Sequence, residues 1–159
     1  MWLVMDWVHL HLALNHIPVL GVPFLLGFLL WSWARRQTVT LRFCLWLFAG
    51  LAAASIAIKF TGDFAAEKVA AMPGLDKARI EQHEESADRA ATGVFFMGIA
   101  AAMALFLSRG GRPTPAWSLG LLAVLALATF ALMVRTANLG GHIRHPEIRP
   151  AGEVEHGRP

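Results

Sequence analysis

At 159 residues, 56% hydrophobic and only 16% charged, the chain has the length of one domain and is more apolar than a typical soluble one. Fourteen Lys and Arg against eleven Asp and Glu give a net charge of +3, but no basic run is interleaved with aromatics, so nucleic acid is not an expected partner. The lone cysteine, Cys44, excludes an internal disulfide, and the absence of Cys-x-x-Cys-His excludes covalent haem attachment.

Four apolar stretches, 8–33, 41–60, 90–108 and 116–134, are each long enough to cross the ~30 Å hydrocarbon layer as a helix. The first span starts near Asp6 and ends before Arg35, with Pro18 and Pro23 as internal kinks. Without a positive n-region or small-residue cleavage site, it is expected to stay as an anchor. On this span His9, Ala13, His16, Leu20 and Gly27 share a face, read as the inward one. His11 falls on another face and reads as an interfacial side chain.

The second span starts near Thr40, and its helical pattern continues through Gly62 to about Ala71. The run 72–75 is a turn signal and Asp76 an N-cap for the third span, which ends at Ser108. Both helices overshoot the hydrocarbon by ~15 Å. On the third span His83 stacks above Ala87, Ala90, Ala91, Val94, Met97 and Gly98, a column that faces inward. Glu81, Glu85 and Asp88 form a solvated stripe, with Glu84 intermediate. After the break at 109–113, the fourth span runs from about Pro115 to Asn138, and Gly140-Gly141 end or bend it. If those glycines stay helical, Arg135, Asn138, His142 and His145 form one polar seam.

Arg35, Arg36 and Arg42 in the first connection, with Arg109 and Arg112 in the third, place both loops on the cytoplasmic side of the membrane. The acidic middle loop and both termini then face the periplasm. The expected fold is all-α: an up-down four-helix membrane bundle over 1–145, its second and third helices protruding on the periplasmic side, followed by a polar periplasmic tail, 146–159.

Six of the seven histidines collect near the periplasmic end, where imidazoles in or near hydrocarbon suggest a cofactor or metal. Counting up from the arginines places His9, His83 and His142 ~40 Å away at a common level, and His16 about 10 Å lower. A b-type haem needs two axial imidazoles, a gap for the macrocycle and cations for its propionates. Gly62, Ala65, Ala66, Ala87, Ala91, Gly140 and Gly141 could form the gap. Arg135, Arg144, Arg149 and Lys59 could meet the propionates. A bare copper, zinc or iron ion would instead draw on His9, His16, His83, His142, His145 and Glu84, with Glu67 and Asp63 in reach. The four spans carry no Glu-x-x-His pair, and phosphate-cradling glycine loops, His-Glu-x-x-His and a Ser-His-Asp arrangement are absent. No row of ionisable groups crosses the membrane, which argues against a transporter or proton channel.

The segments 14–21 (LNHIPVLG), 61–67 (TGDFAAE), 80–85 (IEQHEE) and 140–147 (GGHIRHPE) together resemble a group of small bacterial four-span membrane proteins. These carry an early His-x-Pro and a Thr-Gly at the end of span two. The resemblance implies the fold and directs attention to His16, Thr61, Gly62, His83, Glu84, Gly141 and His145. The chain is also loosely similar to four-helix b-type cytochromes, which place histidines at both membrane faces, whereas here the inner face has none. The expected function is a b-type cytochrome-like electron-transfer subunit, with haem b ligated by His83 and one of His9, His16 or His142. It would take electrons from quinol and pass them to a periplasmic carrier or a larger respiratory complex, without catalysis at the iron. The alternatives are a periplasmic-facing transition-metal-binding protein and a structural subunit of a respiratory complex. A homo-oligomer is compatible with each.

Overall fold

The computed structural model describes residues 6–72 and 76–145, excepting the Arg144 side chain. Five helices make four spans: α1 (Trp7–Leu14) and α2 (His16–Ala34) form the first, followed by α3 (Thr38–Ala70), α4 (Lys77–Leu107) and α5 (Ala116–Arg144). All four spans are long and apolar enough to cross a membrane. They pack as a bundle in which α3 touches the first span and α4, while α5 touches α2 and α4. Both inter-helix connections at one end carry arginines, and the connection at the other end is acidic. The tail, 146–159, and the turn residues 73–75 lie outside the described residues.

The first span breaks at Asn15, three residues before Pro18, one of the two kinks the sequence places in it. Proline chemistry explains it. Pro18 has no N–H for the carbonyl of Leu14, four residues earlier, and its ring crowds that carbonyl. The chain nonetheless stays near helical, with Val19 N–H reaching the Asn15 carbonyl at 3.3 Å. Pro23 is accommodated inside α2.

The Asp76 cap is as expected: its carboxylate accepts from the Ala78 N–H at 3.0 Å. At the far end, α5 does not stop at Asn138 but runs through Gly140 and Gly141 to Arg144. Glycine lowers helix propensity by about 1 kcal/mol, and here packing overrides it, because the His83 ring lies against Gly140.

The dry core occupies the arginine-side and central parts of the bundle. It is built from Val22, Leu25 and Leu29 of α2, Cys44, Leu45 and Phe48 of α3, Met97 and Ala101 of α4, and Leu119 and Leu122 of α5. Phe24, Trp46, Phe95 and Val124 point outward, as lipid-facing side chains do. Since lipid is as apolar as the core, helix association depends on close packing. Small residues provide it: a Cβ on Gly98 would lie 2.6 Å from the Ala52 Cβ, and one on Gly93 would lie 2.6 Å from the Thr129 Oγ1.

At the acidic end, Asp6 and Lys68 pair at 2.6 Å, and Trp7 stacks on Phe64 with centroids 4.9 Å apart. These contacts fasten the start of the first span to the end of α3. Hydrogen bonding from the Lys68 ammonium holds the Asp6 carboxyl below its ordinary 3.8. A lowered value means that the pair stabilises the fold above 3.8 and loses that contribution as pH falls through the folded value. Amide exchange in α1 should therefore accelerate in acid below that point. Asp6→Asn should show the faster exchange already at neutral pH.

Candidate histidine site at the acidic end

Above the dry core the interior of the bundle turns polar. Thr61 of α3 and Ser86 of α4 are buried there, and His11, His83 and Thr136 are half-buried. Two imidazoles, one from α1 and one from α4, occupy this layer in parallel ways.

His83 places its Nδ1 3.0 Å from the Thr136 carbonyl oxygen. A carbonyl only accepts, so Nδ1 carries the proton and donates it, and Nε2 keeps its lone pair. Thr136 is itself held: its hydroxyl donates to the Leu132 carbonyl at 2.9 Å, leaving its oxygen to accept from Ser86 at 2.8 Å. The ring lies over Gly140, where a Cβ would come within 3.1 Å of Cε1.

His11 repeats the arrangement on the other side. Its Nδ1 is 3.3 Å from the Thr61 Oγ1, whose own proton is donated to the Ile58 carbonyl at 2.6 Å. With that proton committed, the Thr61 oxygen can only accept, so His11 also carries its proton on Nδ1 and presents a bare Nε2. Its ring lies against Gly62, with Cε1 only 2.9 Å from where a Cβ would be. The two imidazoles are close enough for a charge on one to repel a charge on the other.

The inward histidine of the first span is thus His11, and the expectation for His9 and His16 is corrected. His9 is exposed, and so is His16, whose Nδ1 turns back along its own helix to the Leu12 carbonyl at 2.6 Å. Inward burial follows Pro18, Val22, Leu25, Leu29 and Ser32. Steps of three and four residues back from Pro18 lead to Leu14 and His11, not to His9.

The remaining candidates scatter. His142 is half-buried, Gly141 is half-buried with its carbonyl accepting the His145 N–H at 3.0 Å, and His145, Glu84 and Arg135 are exposed. Arg144 lies in α5 with its side chain outside the described part, as does all of Arg149. Lys59 is engaged by Asp63 at 2.5 Å and Asp88 at 2.9 Å, so two carboxylates already take up its charge. Gly62 and Gly140 do provide narrow helix surfaces, but the imidazoles themselves fill them. Among the described residues no three His, Cys, Asp or Glu side chains group closely enough to hold a metal.

Residues that sequence reasoning did not connect with the site are His11, Thr136 and Ser86. For His11 a signal existed in Ser32, the one polar residue of α2 after His16, because counting back from it in helical steps passes through the buried positions to His11. Compared with protein-family models, curated proteins and solved structures, the chain matches none of them.

Proposed function

We infer that this four-span protein binds a transition-metal ion through His11 and His83, at the periplasmic face of a bacterial inner membrane. The observation that supports the reading is the matched anchoring of the two rings. Each donates its Nδ1 proton to a protein oxygen and leaves Nε2 with a lone pair. Metal-ligating histidines commonly have their second nitrogen fixed in this way, which sets ring orientation and raises ligand basicity. Copper, zinc and iron all accept imidazole. Two protein ligands leave further positions for water or a small ligand. The orientation rests on the arginines of the opposite end, by the positive-inside bias of short loops.

A second reading uses the same pair as the axial ligands of haem b in a cytochrome-like subunit, with quinol as donor and a periplasmic carrier or respiratory complex as acceptor. It is favoured by the origin of the two rings on different helices. The porphyrin would need its own slot, whereas the glycine surfaces are already covered by imidazole. A bare ion needs no such slot, and for that reason it leads.

Purification of the full chain in mild detergent, followed by metal analysis and an absorbance spectrum, tests both. Stoichiometric metal without a Soret band is the expected result. His83→Ala and His11→Ala should each weaken retention at least tenfold, the scale of losing a ligand or its support, while His9→Ala should not. A Soret band that shifts on reduction would transfer the assignment to haem. A colourless, metal-free protein would return both rings to a packing role.

A further inference from the structure

A cleft opens at the arginine end between the first turns of α3 and α5. Trp33, Arg36 and Thr38 line one side, and Pro113, Thr114 and Leu119 the other. Three independent features give it a preference for negative charge.

The first is an unpartnered hydroxyl. The Thr114 Oγ1 is buried with no hydrogen-bond partner among the described residues, a costly state for a polar group unless something else supplies the bond. One turn before Arg36, the fully buried Ser32 has a second such hydroxyl. The second feature is backbone polarity. Both long helices begin here, and neither N-cap, Gln37 or Pro115, makes a side-chain capping bond, so the positive dipole ends of both helices face this region without a side-chain cap. The third is the charge balance. Arg35, Arg36, Arg42, Arg109 and Arg112 sit at this end, while residues 7–62 and 89–146 contain no Asp or Glu. Arg36 is moreover held at φ 53°, in the left-handed region that a side chain rarely adopts without compensation.

The geometry points to a binding site for the phosphate of an anionic phospholipid headgroup from the adjacent leaflet. Arg36 would pair with the phosphate, and the Thr114 hydroxyl would donate to it. Trp33 sits at the rim, about one-third exposed, where an indole meets headgroups. Basic clefts between membrane helices take lipid headgroups for the same reasons. A free phosphate ion offers similar chemistry. The lipid is favoured because Trp33 and Pro113 flank the cleft with exposed apolar surface that an acyl chain would cover. The site is at the opposite end from His11 and His83 and does not depend on them.

Native mass spectrometry of the full chain in detergent, titrated with phosphatidylglycerol, phosphatidylcholine or inorganic phosphate, tests the proposal. Phosphatidylglycerol should be retained at least tenfold better than phosphatidylcholine, and inorganic phosphate should not compete with it at equal concentration. Arg36→Gly keeps the backbone comfortable at positive φ, so its expected loss of about tenfold in phosphatidylglycerol retention, one charge-assisted contact, cannot come from misfolding. Thr114→Val should raise the melting temperature of the lipid-free protein by removing an unsatisfied hydroxyl, yet reduce phosphatidylglycerol retention. Arg112→Gln should do neither. Equal retention of both lipids, or unchanged retention in Arg36→Gly and Thr114→Val, would overturn the site. Full competition by inorganic phosphate would overturn the lipid as its ligand.

Discussion

Gly98→Val is expected to be the most destabilising single change in the bundle. Any Cβ at position 98 would lie 2.6 Å from the Ala52 Cβ, and neither atom belongs to a flexible side chain that could swing aside. The clash can be relieved only by separating α3 from α4. Overpacking of that kind costs about 1–3 kcal/mol. Separation is especially damaging here because helix contacts in lipid rely on close approach rather than on expulsion of water. A lower melting temperature in detergent, by several degrees, is the expected readout. The pair identifies its own rescue: Ala52→Gly in the Gly98→Ala background should recover most of the loss, giving a large coupling energy in a double-mutant cycle. An unchanged melting temperature for Gly98→Val would mean that α3 and α4 are not packed at this distance.

The four spans were legible because hydropathy sets length directly. Four stretches of sufficient length can only be satisfied by four helices when no water is available to the backbone. The inward direction of His83 was legible too. It lies on the charged half of α4, where Glu81, Glu84 and Glu85 mark the exposed faces by contrast. Span one offered no such contrast. From 17 to 31 its residues are apolar on every side, so the stripe through His9 and His16 and the stripe through His11 are equally apolar. A helix between lipid and protein has two greasy surroundings, and amphipathic reasoning loses its reference. The polar Ser32 at the inner face, rather than hydrophobicity, marks which stripe is buried. The continuation of α5 past Gly140 was illegible for another reason. Two glycines end an isolated helix, but Gly140 here provides the flat surface under His83, and that depends on a residue 57 positions away. The paired seating of His11 on Gly62 and His83 on Gly140 likewise emerges only when helices are placed side by side.

That seating leads to the prediction that separates the site from the fold. Gly62→Ala adds a Cβ 2.9 Å from the His11 Cε1, a clash comparable on paper to that at Gly98. The neighbour, however, is the far end of a rotatable side chain. The imidazole can turn away, and the cost is then confined to what the ring was doing. Turning it breaks the Nδ1 bond to Thr61 and moves Nε2. Loss of one interhelical hydrogen bond is worth roughly 0.6 kcal/mol in membrane helices, so the melting temperature should fall only slightly. Metal retention should fall at least tenfold, as for removal of a supporting contact. Thr61→Val should produce a milder form of the same signature, because it leaves the seat but removes the acceptor that fixes the tautomer. Gly62→Ala with intact metal retention would show that the His11 ring orientation has no bearing on the site. A large loss of stability would instead make Gly62 a packing glycine like Gly98, with His11 as part of the core.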